Sequence, residues 1–156
     1  MPEKKKKTVF LNGAISPSFI ADSIAAHSKK TTIGAHDIFL GQVRADFING
    51  KSVTAIEYSA YQEMAEQRLD EIREAAFLKH DLICMHIYHS LGVVKTGEIC
   101  LFVFVSSKNR ASAFSACREI VEQIKFQVPI WGKEILQDEE FAWKENKPEE
   151  LKTLEK

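Results

Sequence analysis

Residues 124–134 read Ile124-Lys125-Phe126-Gln127-Val128-Pro129-Ile130-Trp131-Gly132-Lys133-Glu134. Proline disfavours the helical conformation in the residue before it, so a helix should end at Val128 and an extended segment should follow. Lys125 lies one residue past Ile124, beside the apolar stripe of that helix. Partial burial at this position would lower the pKa of Lys125 and suit it to act as a base or a nucleophile. We therefore expect the chemically functional residues of the chain to lie in this stretch.

Length and composition predict one soluble domain. The chain has 156 residues, of which 45% are hydrophobic and 28% are charged, enough for a single buried core. A formal net charge of -1 argues against bulk nucleic-acid binding. Apolar runs all fall well short of the ~20 residues that a membrane span requires. We expect a cytoplasmic protein with one domain over residues 8–145 and flexible tails at 1–7 and 146–156.

Periodicity predicts three helices among mostly antiparallel strands. Ser16 and Pro17 begin a helix that runs to about Ala26, residues 61–79 carry the clearest apolar stripe, and a third helix follows Asn109. The turn dipeptide Asn49-Gly50 predicts a hairpin with Arg44 near its loop. Its two strands would be residues 33–44 and 53–60. The other strand-like runs are residues 8–11, 82–90, 98–106, 130–136 and 141–143, of which 82–90 and 98–106 should be antiparallel neighbours.

Cysteine and histidine spacing gives no ligand pattern. Cys84, Cys100 and Cys117 are odd in number, widely spaced and set among apolar residues, which favours buried thiols over disulfides or a zinc cluster. His86 and His89 are three positions apart on a strand, so they should point to opposite faces. The other histidines are isolated in the sequence: His27, His36 and His80. We therefore expect neither a metal nor a cofactor.

Cations at turns and element ends are the candidate functional residues: Arg44, Arg110, Lys125 and Lys133. Arg44 has no apolar role, and it is either a solvated loop cation or an anion ligand. Arg110 follows a strand-to-helix junction, where free backbone N–H groups and the helix dipole favour an anion. Ordinary capping of that helix by Ser107 or Asn109 is the alternative.

Four sequence blocks, taken in order and spacing, resemble one enzyme family. They are Phe39-Leu40-Gly41-Gln42-Val43-Arg44, Gly97-Glu98, Ser107-Lys108-Asn109-Arg110-Ala111-Ser112-Ala113-Phe114, and residues 124–134. The family is the large catalytic subunit of molybdopterin synthase, and the similarity covers residues 8–145. The resemblance implies an α/β hammerhead fold of the α+β class, with mostly antiparallel strands and three helices.

The resemblance also implies a sulfurtransferase of molybdenum cofactor biosynthesis. The large subunit would form a homodimer and, with two small ubiquitin-like sulfur-carrier subunits, a heterotetramer. Each carrier would insert its C-terminal Gly-Gly thiocarboxylate into a pocket, and two sulfurs would convert cyclic pyranopterin monophosphate into the dithiolene of molybdopterin. Both ligands are anions, which agrees in kind with a group of cations.

By position, the resemblance implies that Lys125 is the central catalytic lysine and that Arg44 and Arg110 bind the substrate phosphate or the carrier's terminal carboxyl group. Gly132 stands where the family has a second catalytic lysine, and the lysine follows at Lys133. A shift of one residue turns a strand side chain to the other face. Either a bulge at Gly132 brings Lys133 into the pocket as a catalytic residue, or the function is supplied differently.

Two further departures concern substrate binding. Asn109 stands where the family commonly has histidine, which keeps hydrogen bonding but loses a titratable group. Lys144 and Lys147 only approximate a basic residue that follows the last tryptophan-containing strand in the family, and Lys147 is the candidate substrate ligand. Gly132 and Asn109 leave open a subunit that binds the carrier tail without turnover. A stand-alone small-anion-binding domain is a third interpretation.

Overall fold

The computed structural model describes residues 9–138 and 141–143, within which the chain forms eight strands and three α-helices. The strands are β1 Phe10–Asn12, β2 Ala35–Gln42, β3 Phe47–Ile48, β4 Lys51–Ala60, β5 Cys84–Lys95, β6 Ile99–Ser107, β7 Ile130–Leu136 and β8 Phe141–Trp143. The helices are α1 Pro17–Ala26, α2 Gln62–Lys79 and α3 Arg110–Gln127. The predicted α+β class is confirmed. Both predicted tails and the domain limits at residues 8 and 145 lie outside the described residues.

The strands form one sheet with the order β2-β6-β5-β4-β7-β8, to which β1 adds beside β5 and β3 beside β4. Among the described strands, β1 and β5 pair in parallel and the other pairs are antiparallel. The predicted pairing of residues 82–90 with 98–106 is confirmed, since Cys84 lies opposite Ser106 and His89 opposite Leu101. Within the same residues, no helix is both long and apolar enough to cross a membrane.

Strand β6 lies at the centre of the packing because both of its faces are buried. Leu101, Val103 and Val105 belong to a core cluster that includes the apolar face of α3. Phe102 and Phe104 point the other way, into a smaller cluster that includes α1. Successive strand residues alternate between faces, so a strand covered on both sides reads as a continuous apolar run. The sheet therefore separates an α3 side from an α1 side.

The predicted hairpin between residues 33–44 and 53–60 is wrong. Strand β2 pairs with β6, and β4 lies between β5 and β7. The Asn49-Gly50 turn does form, with φ values of 52° and 77°, but it joins β4 to the two-residue strand β3. A turn dipeptide fixes only the residues beside it, and the buried surface of β6 determines the partner of β2.

Replacement of Gly34 tests the connection between β2 and the β6–α3 junction. Gly34 donates its backbone N–H to Ser107 O at 3.0 Å, and a Cβ at this position would lie 2.2 Å from the backbone oxygen of Lys108. The Gly34→Ala variant should lower the free energy of unfolding by roughly 1–3 kcal/mol, measured by denaturant titration. Thr32→Ala, an exposed change in the same loop, should stay within about 0.5 kcal/mol. Equal stability of the two variants would contradict the expected clash.

Candidate active site

Lys125 lies in the last turn of α3, where the predicted break of the helix is confirmed. The C-cap residue Val128 is extended, with φ -94° and ψ 131°, and Pro129 follows it. Ile124 is buried in the core, while Lys125 beside it is half-buried. The local sequence thus places one ammonium group at the edge of the apolar interior.

His89 is a buried histidine close to Lys125, and sequence analysis did not assign it to the site. Its ring is 5% exposed, lies 5.0 Å from the Tyr58 ring between centroids, and donates from Nδ1 to Ser90 O at 2.8 Å. Burial, with a smaller contribution from the charge of Lys125, lowers the pKa of His89 to about 4, although the hydrogen bond to Ser90 opposes the shift. His89 is therefore neutral at pH 7, with Nε2 left as a hydrogen-bond acceptor.

Tyr58 continues this buried polar group on β4. Its hydroxyl donates to Cys100 Sγ at 3.3 Å, and Cys100 donates to Gly41 O at 3.4 Å. Burial, the Cys100 thiol and the Glu134 carboxylate all raise the pKa of Tyr58. Tyr58 therefore stays a neutral donor at physiological pH, and Glu134, 9% exposed, supplies negative charge nearby.

Lys133 lies on the face of β7 opposite Gly132. The β4–β7 register continues without interruption from Ala55 to Ala60, and its irregularity lies between Val53 and Ala55. Of the two alternatives, the bulge at Gly132 is therefore wrong, because the extra residue of this strand pair is on β4. Lys133 lies opposite Glu57 and forms a 3.2 Å ion pair with it.

Gly132 itself faces the core. A Cβ at this position would lie 2.9 Å from Ile56 Cγ2 and 3.3 Å from Tyr58 Cε1. The ring of Tyr58 and the side chain of Ile56 thus occupy the space into which a longer side chain at position 132 would begin. The size of these two β4 residues therefore favours glycine at position 132.

Arg44 follows β2 at the end of the sheet where β6 begins. The neighbouring Val43 donates to Glu98 O at 3.0 Å and accepts from Gly97 N at 2.8 Å. The Arg44 guanidinium binds both carboxylate oxygens of Asp46, at 2.7 and 3.2 Å, and its side chain is 66% exposed. It is an accessible cation held in a fixed orientation.

Asn109 and Arg110 lie at the other end of the sheet. Asn109 Oδ1 accepts from Ser112 N at 2.9 Å, so the capping alternative is confirmed for Asn109. Arg110 is the first residue of α3 and is exposed. It lies about 22 Å from Lys125 along the helix axis at about 1.5 Å per residue, and β6 puts about 30 Å between Arg110 and Arg44. The four predicted cations therefore do not form one cluster in a single chain.

Comparison with known proteins identifies the family. Residues 15–127 match the family model described as MoaE protein. The chain belongs to the MoaE protein family. It is 40% identical over 121 residues to a molybdopterin synthase catalytic subunit of Oryza sativa subsp. indica, covering 78% of this chain. The chain spans 62% of the length of that relative.

Two solved structures have the same fold as this MoaE family member. A molybdopterin synthase of Staphylococcus aureus is 29% identical, with a TM-score of 0.76 over 88% of this chain and 96% of that one. A complex of subunits 1 and 2 of the molybdopterin-converting factor from Helicobacter pylori has a TM-score of 0.75 over 88% and 90% of the two chains. It is 19% identical, so the likeness shows the fold alone.

The structure thus groups the candidate residues of this MoaE family member by the two ends of the sheet. His89 lies opposite Leu101, near the beginning of β6, so Lys125 beside His89 lies toward the Arg44 end. Lys147 lies outside the described residues. The period of two already placed His89 on the face opposite His86, but only the fold shows that this face meets the end of α3.

A pH titration of stability tests the buried state of His89. Its folded pKa of about 4 is below the ordinary 6.5, so the unfolded chain binds more protons between these values. Stability from the neutral ring is fully present above pH 6.5 and is lost as pH falls toward 4. Relative to His89→Gln, the native chain should lose about 3 kcal/mol of unfolding free energy between pH 7 and 4. Parallel curves for the two proteins would contradict this prediction.

Proposed function

We propose that this chain is the catalytic subunit of a molybdopterin synthase, a sulfurtransferase that acts on cyclic pyranopterin monophosphate. The observation that carries the proposal is the half-buried Lys125 beside the neutral His89, at the sequence position of the family's catalytic lysine. Membership of the MoaE protein family and the names of its relatives support it.

The surroundings of Lys125 suit it to stabilise an anion. We propose that its ammonium group stabilises the charge that develops as sulfur leaves the acyl carbon of the carrier, and that it transfers a proton during ring opening. A fixed cation at an apolar edge stabilises a nearby anion more strongly than a cation in water does, because the local dielectric constant is lower. His89, neutral at pH 7, adds no positive charge near the lysine and keeps a lone pair on Nε2.

The partner that supplies sulfur in this proposal is a small ubiquitin-like carrier with a C-terminal Gly-Gly thiocarboxylate. The Helicobacter pylori structure, which shares the fold, is described as a complex of subunits 1 and 2 of a molybdopterin-converting factor. Arg44, exposed and oriented by Asp46, is the proposed ligand for the carrier's terminal carboxyl group or for the substrate phosphate. The proposed location is the cytoplasm.

Removal of the catalytic lysine tests the proposal directly. Lys125→Ala should abolish dithiolene formation when the purified chain is combined with thiocarboxylated carrier and cyclic pyranopterin monophosphate. We expect a loss of at least about 100-fold, comparable to the loss of one stabilising donor at a reacting anion. Carrier binding, measured by calorimetry, should persist. Turnover by this variant with an intact fold would rule out the central role of Lys125.

Lys133→Ala is the matched comparison, since both changes remove one lysine ammonium group within the same stretch. The ion pair with Glu57 requires Lys133 to exchange that partner for substrate if it acts in catalysis. If Lys133 contributes to turnover, Lys133→Ala should lower the rate, whereas Glu57→Gln should preserve it. A rate for Lys133→Ala equal to that of the native chain would assign the second lysine's function elsewhere.

A second candidate function is binding of the carrier tail without turnover. It is favoured by Gly132, which has no side chain at the position of the family lysine, and by Asn109, whose amide oxygen is engaged in capping α3. The reconstitution above separates the two functions. Carrier binding without any dithiolene product from the native chain would support the second.

The distance between the two groups of candidate residues favours a homodimer. Arg110 and Asn109 lie at one end of α3 and Lys125 at the other, about 22 Å apart along its axis. A cyclic monophosphate is too small to touch both ends of one helix. We therefore propose that Arg110 of one subunit acts with Lys125 of a second subunit across a two-fold interface.

Mixed dimers test this arrangement. Subunits carrying Lys125→Ala and subunits carrying Arg110→Ala, each inactive alone, should regain about a quarter of native activity when dissociated and reassociated in equal amounts. Half of the dimers would then be mixed, and each would contain one intact site.

The control mixes Lys125→Ala subunits with subunits that carry both substitutions, which can form no intact site. Activity of the first mixture no higher than that of this control would show that Arg110 does not act across the dimer.

A further inference from the structure

A second group of chemically competent side chains lies on the α1 side of the sheet, away from Lys125. Nitrogen and sulfur atoms of His27, Cys84 and His86 all lie within 4.8 Å of one another. His27 and Cys84 are 8% and 5% exposed, and His86 is half-buried. We call these three residues the His27 cluster. Folding brings His27, which is isolated in the sequence, beside His86, which follows it by 59 residues.

The fold presents the three side chains to one point. Cys84 and His86 are two positions apart on β5, so they share a face, and their neighbours on β6 are Ser106 and Phe104. Phe104 points toward α1, and His27 begins the single turn of 3-10 helix, His27–Lys29, that ends α1. The His27 ring lies 4.6 Å from the Phe104 ring between centroids. The cluster therefore lies between the end of α1 and the middle of the sheet, on an apolar floor.

The hydrogen bonds of His27 fix which of its nitrogens can bind a metal. Nδ1 lies 2.7 Å from Ser23 O, and a carbonyl oxygen only accepts, so Nδ1 carries the proton. In the neutral ring the lone pair is then on Nε2, which lies 3.0 Å from Nε2 of His86. A ring that donates through one nitrogen to a carbonyl and offers the other to a metal is the usual arrangement of metal-binding histidines.

The spacing agrees with a small transition-metal ion. Two nitrogens bound to one tetrahedral Zn²⁺ at about 2.05 Å lie about 3.3 Å apart, and a nitrogen and a thiolate sulfur lie about 3.5 Å apart. The observed Nε2–Nε2 distance of 3.0 Å and the 4.8 Å limit of the cluster require movements of a few tenths of an ångström to about one ångström. Two imidazoles and one thiolate are a donor set that Zn²⁺ prefers over Mg²⁺ or Ca²⁺.

A lysine and a histidine, Lys30 and His36, form the rim of the His27 cluster. Lys30 Nζ donates to Cys84 Sγ at 2.7 Å, and because Lys30 is exposed its ammonium group can turn to water when a cation enters. The His36 ring lies 6.1 Å from that of His27, and its Nδ1 lies 2.7 Å from Ser106 Oγ. His36 is exposed, so the rim also gives solvent a route to the cluster.

We propose that His27 Nε2, His86 Nε2 and Cys84 Sγ bind one Zn²⁺ ion, with the fourth tetrahedral position open to water. The ion ties the end of α1 to β5 across the face of the sheet opposite Lys125. The site is independent of the proposed sulfur transfer, since none of its ligands lies on the Lys125 side. Binding releases the thiol proton of Cys84 to solvent, moves the proton that His86 Nε2 donates to His27 onto His86 Nδ1, and displaces the Lys30 ammonium group.

Spectroscopy with Co²⁺ and titration with Zn²⁺ test the site in the full chain. Co²⁺ added to the metal-free protein should give the intense visible bands of a tetrahedral site and a thiolate-to-cobalt charge-transfer band, and Zn²⁺ should abolish both. At a hundredfold excess over its Kd, Zn²⁺ should raise the Tm by about 5–10 °C. Octahedral Co²⁺ spectra without the charge-transfer band would overturn the proposal.

Substitutions assign the ligands. Cys84→Ser, the most conservative change, should remove the charge-transfer band, and His86→Gln should weaken Zn²⁺ binding at least about 100-fold. Lys30→Met, which removes only the competing ammonium group, should bind Zn²⁺ more tightly. A gain in affinity cannot result from loss of folding, so this variant tests the site even if the other variants unfold. His36→Gln and Lys125→Ala are the controls and should bind Zn²⁺ as the native chain does. A loss in His36→Gln equal to that in His86→Gln would overturn the three-ligand set.

Discussion

The structure depends on the burial of β6 on both faces. Leu101, Val103 and Val105 require cover from one layer, and Phe102 and Phe104 require cover from another. These alternating side chains bring α3 onto one side of the sheet and α1 onto the other. Each completely buried side chain of this size contributes about 1.5–3 kcal/mol, so no other single strand of the described chain offers a comparable gain.

The same two-sided burial puts the two groups of chemically competent side chains on opposite faces of the sheet. Lys125, His89 and Tyr58 belong to the α3 side, where an ammonium group, a neutral imidazole and a buried hydroxyl lie around an apolar interior. His27 and His86 belong to the α1 side. The sheet lies between the two groups, so we expect a change at one site to reach the other through the stability of the sheet.

Local sequence signals predicted the elements well. The Ser16-Pro17 start of α1, the Asn109 cap of α3 and the stop before Pro129 all depend on neighbouring residues, and all three are confirmed. Strand partners could not be predicted in the same way. The Asn49-Gly50 turn gave the right bend but the wrong pair of strands, because pairing is decided by which surface covers β6 rather than by the turn.

The candidate site was predictable where one stretch contains it, as with Lys125. It was not predictable where distant elements meet. Periodicity gave the face of His89 but not the helix end above it, and it gave no sign that His27 lies beside His86. The grouping of cations failed for a related reason, since the length of α3 separates Arg110 from Lys125 and no local pattern encodes that distance.

The close packing of β4 against Gly132 couples substitutions at these positions. A Cβ at position 132 would meet Ile56 Cγ2 at 2.9 Å and Tyr58 Cε1 at 3.3 Å, so a side chain there requires both neighbours to shift, Ile56 the more. Replacement of Gly132 by a larger residue is unfavourable while Ile56 and Tyr58 keep their size. A lysine at position 132 should therefore be less destabilising after a β4 residue, Ile56 above all, has been replaced by a smaller one, so the two substitutions are expected to be non-additive.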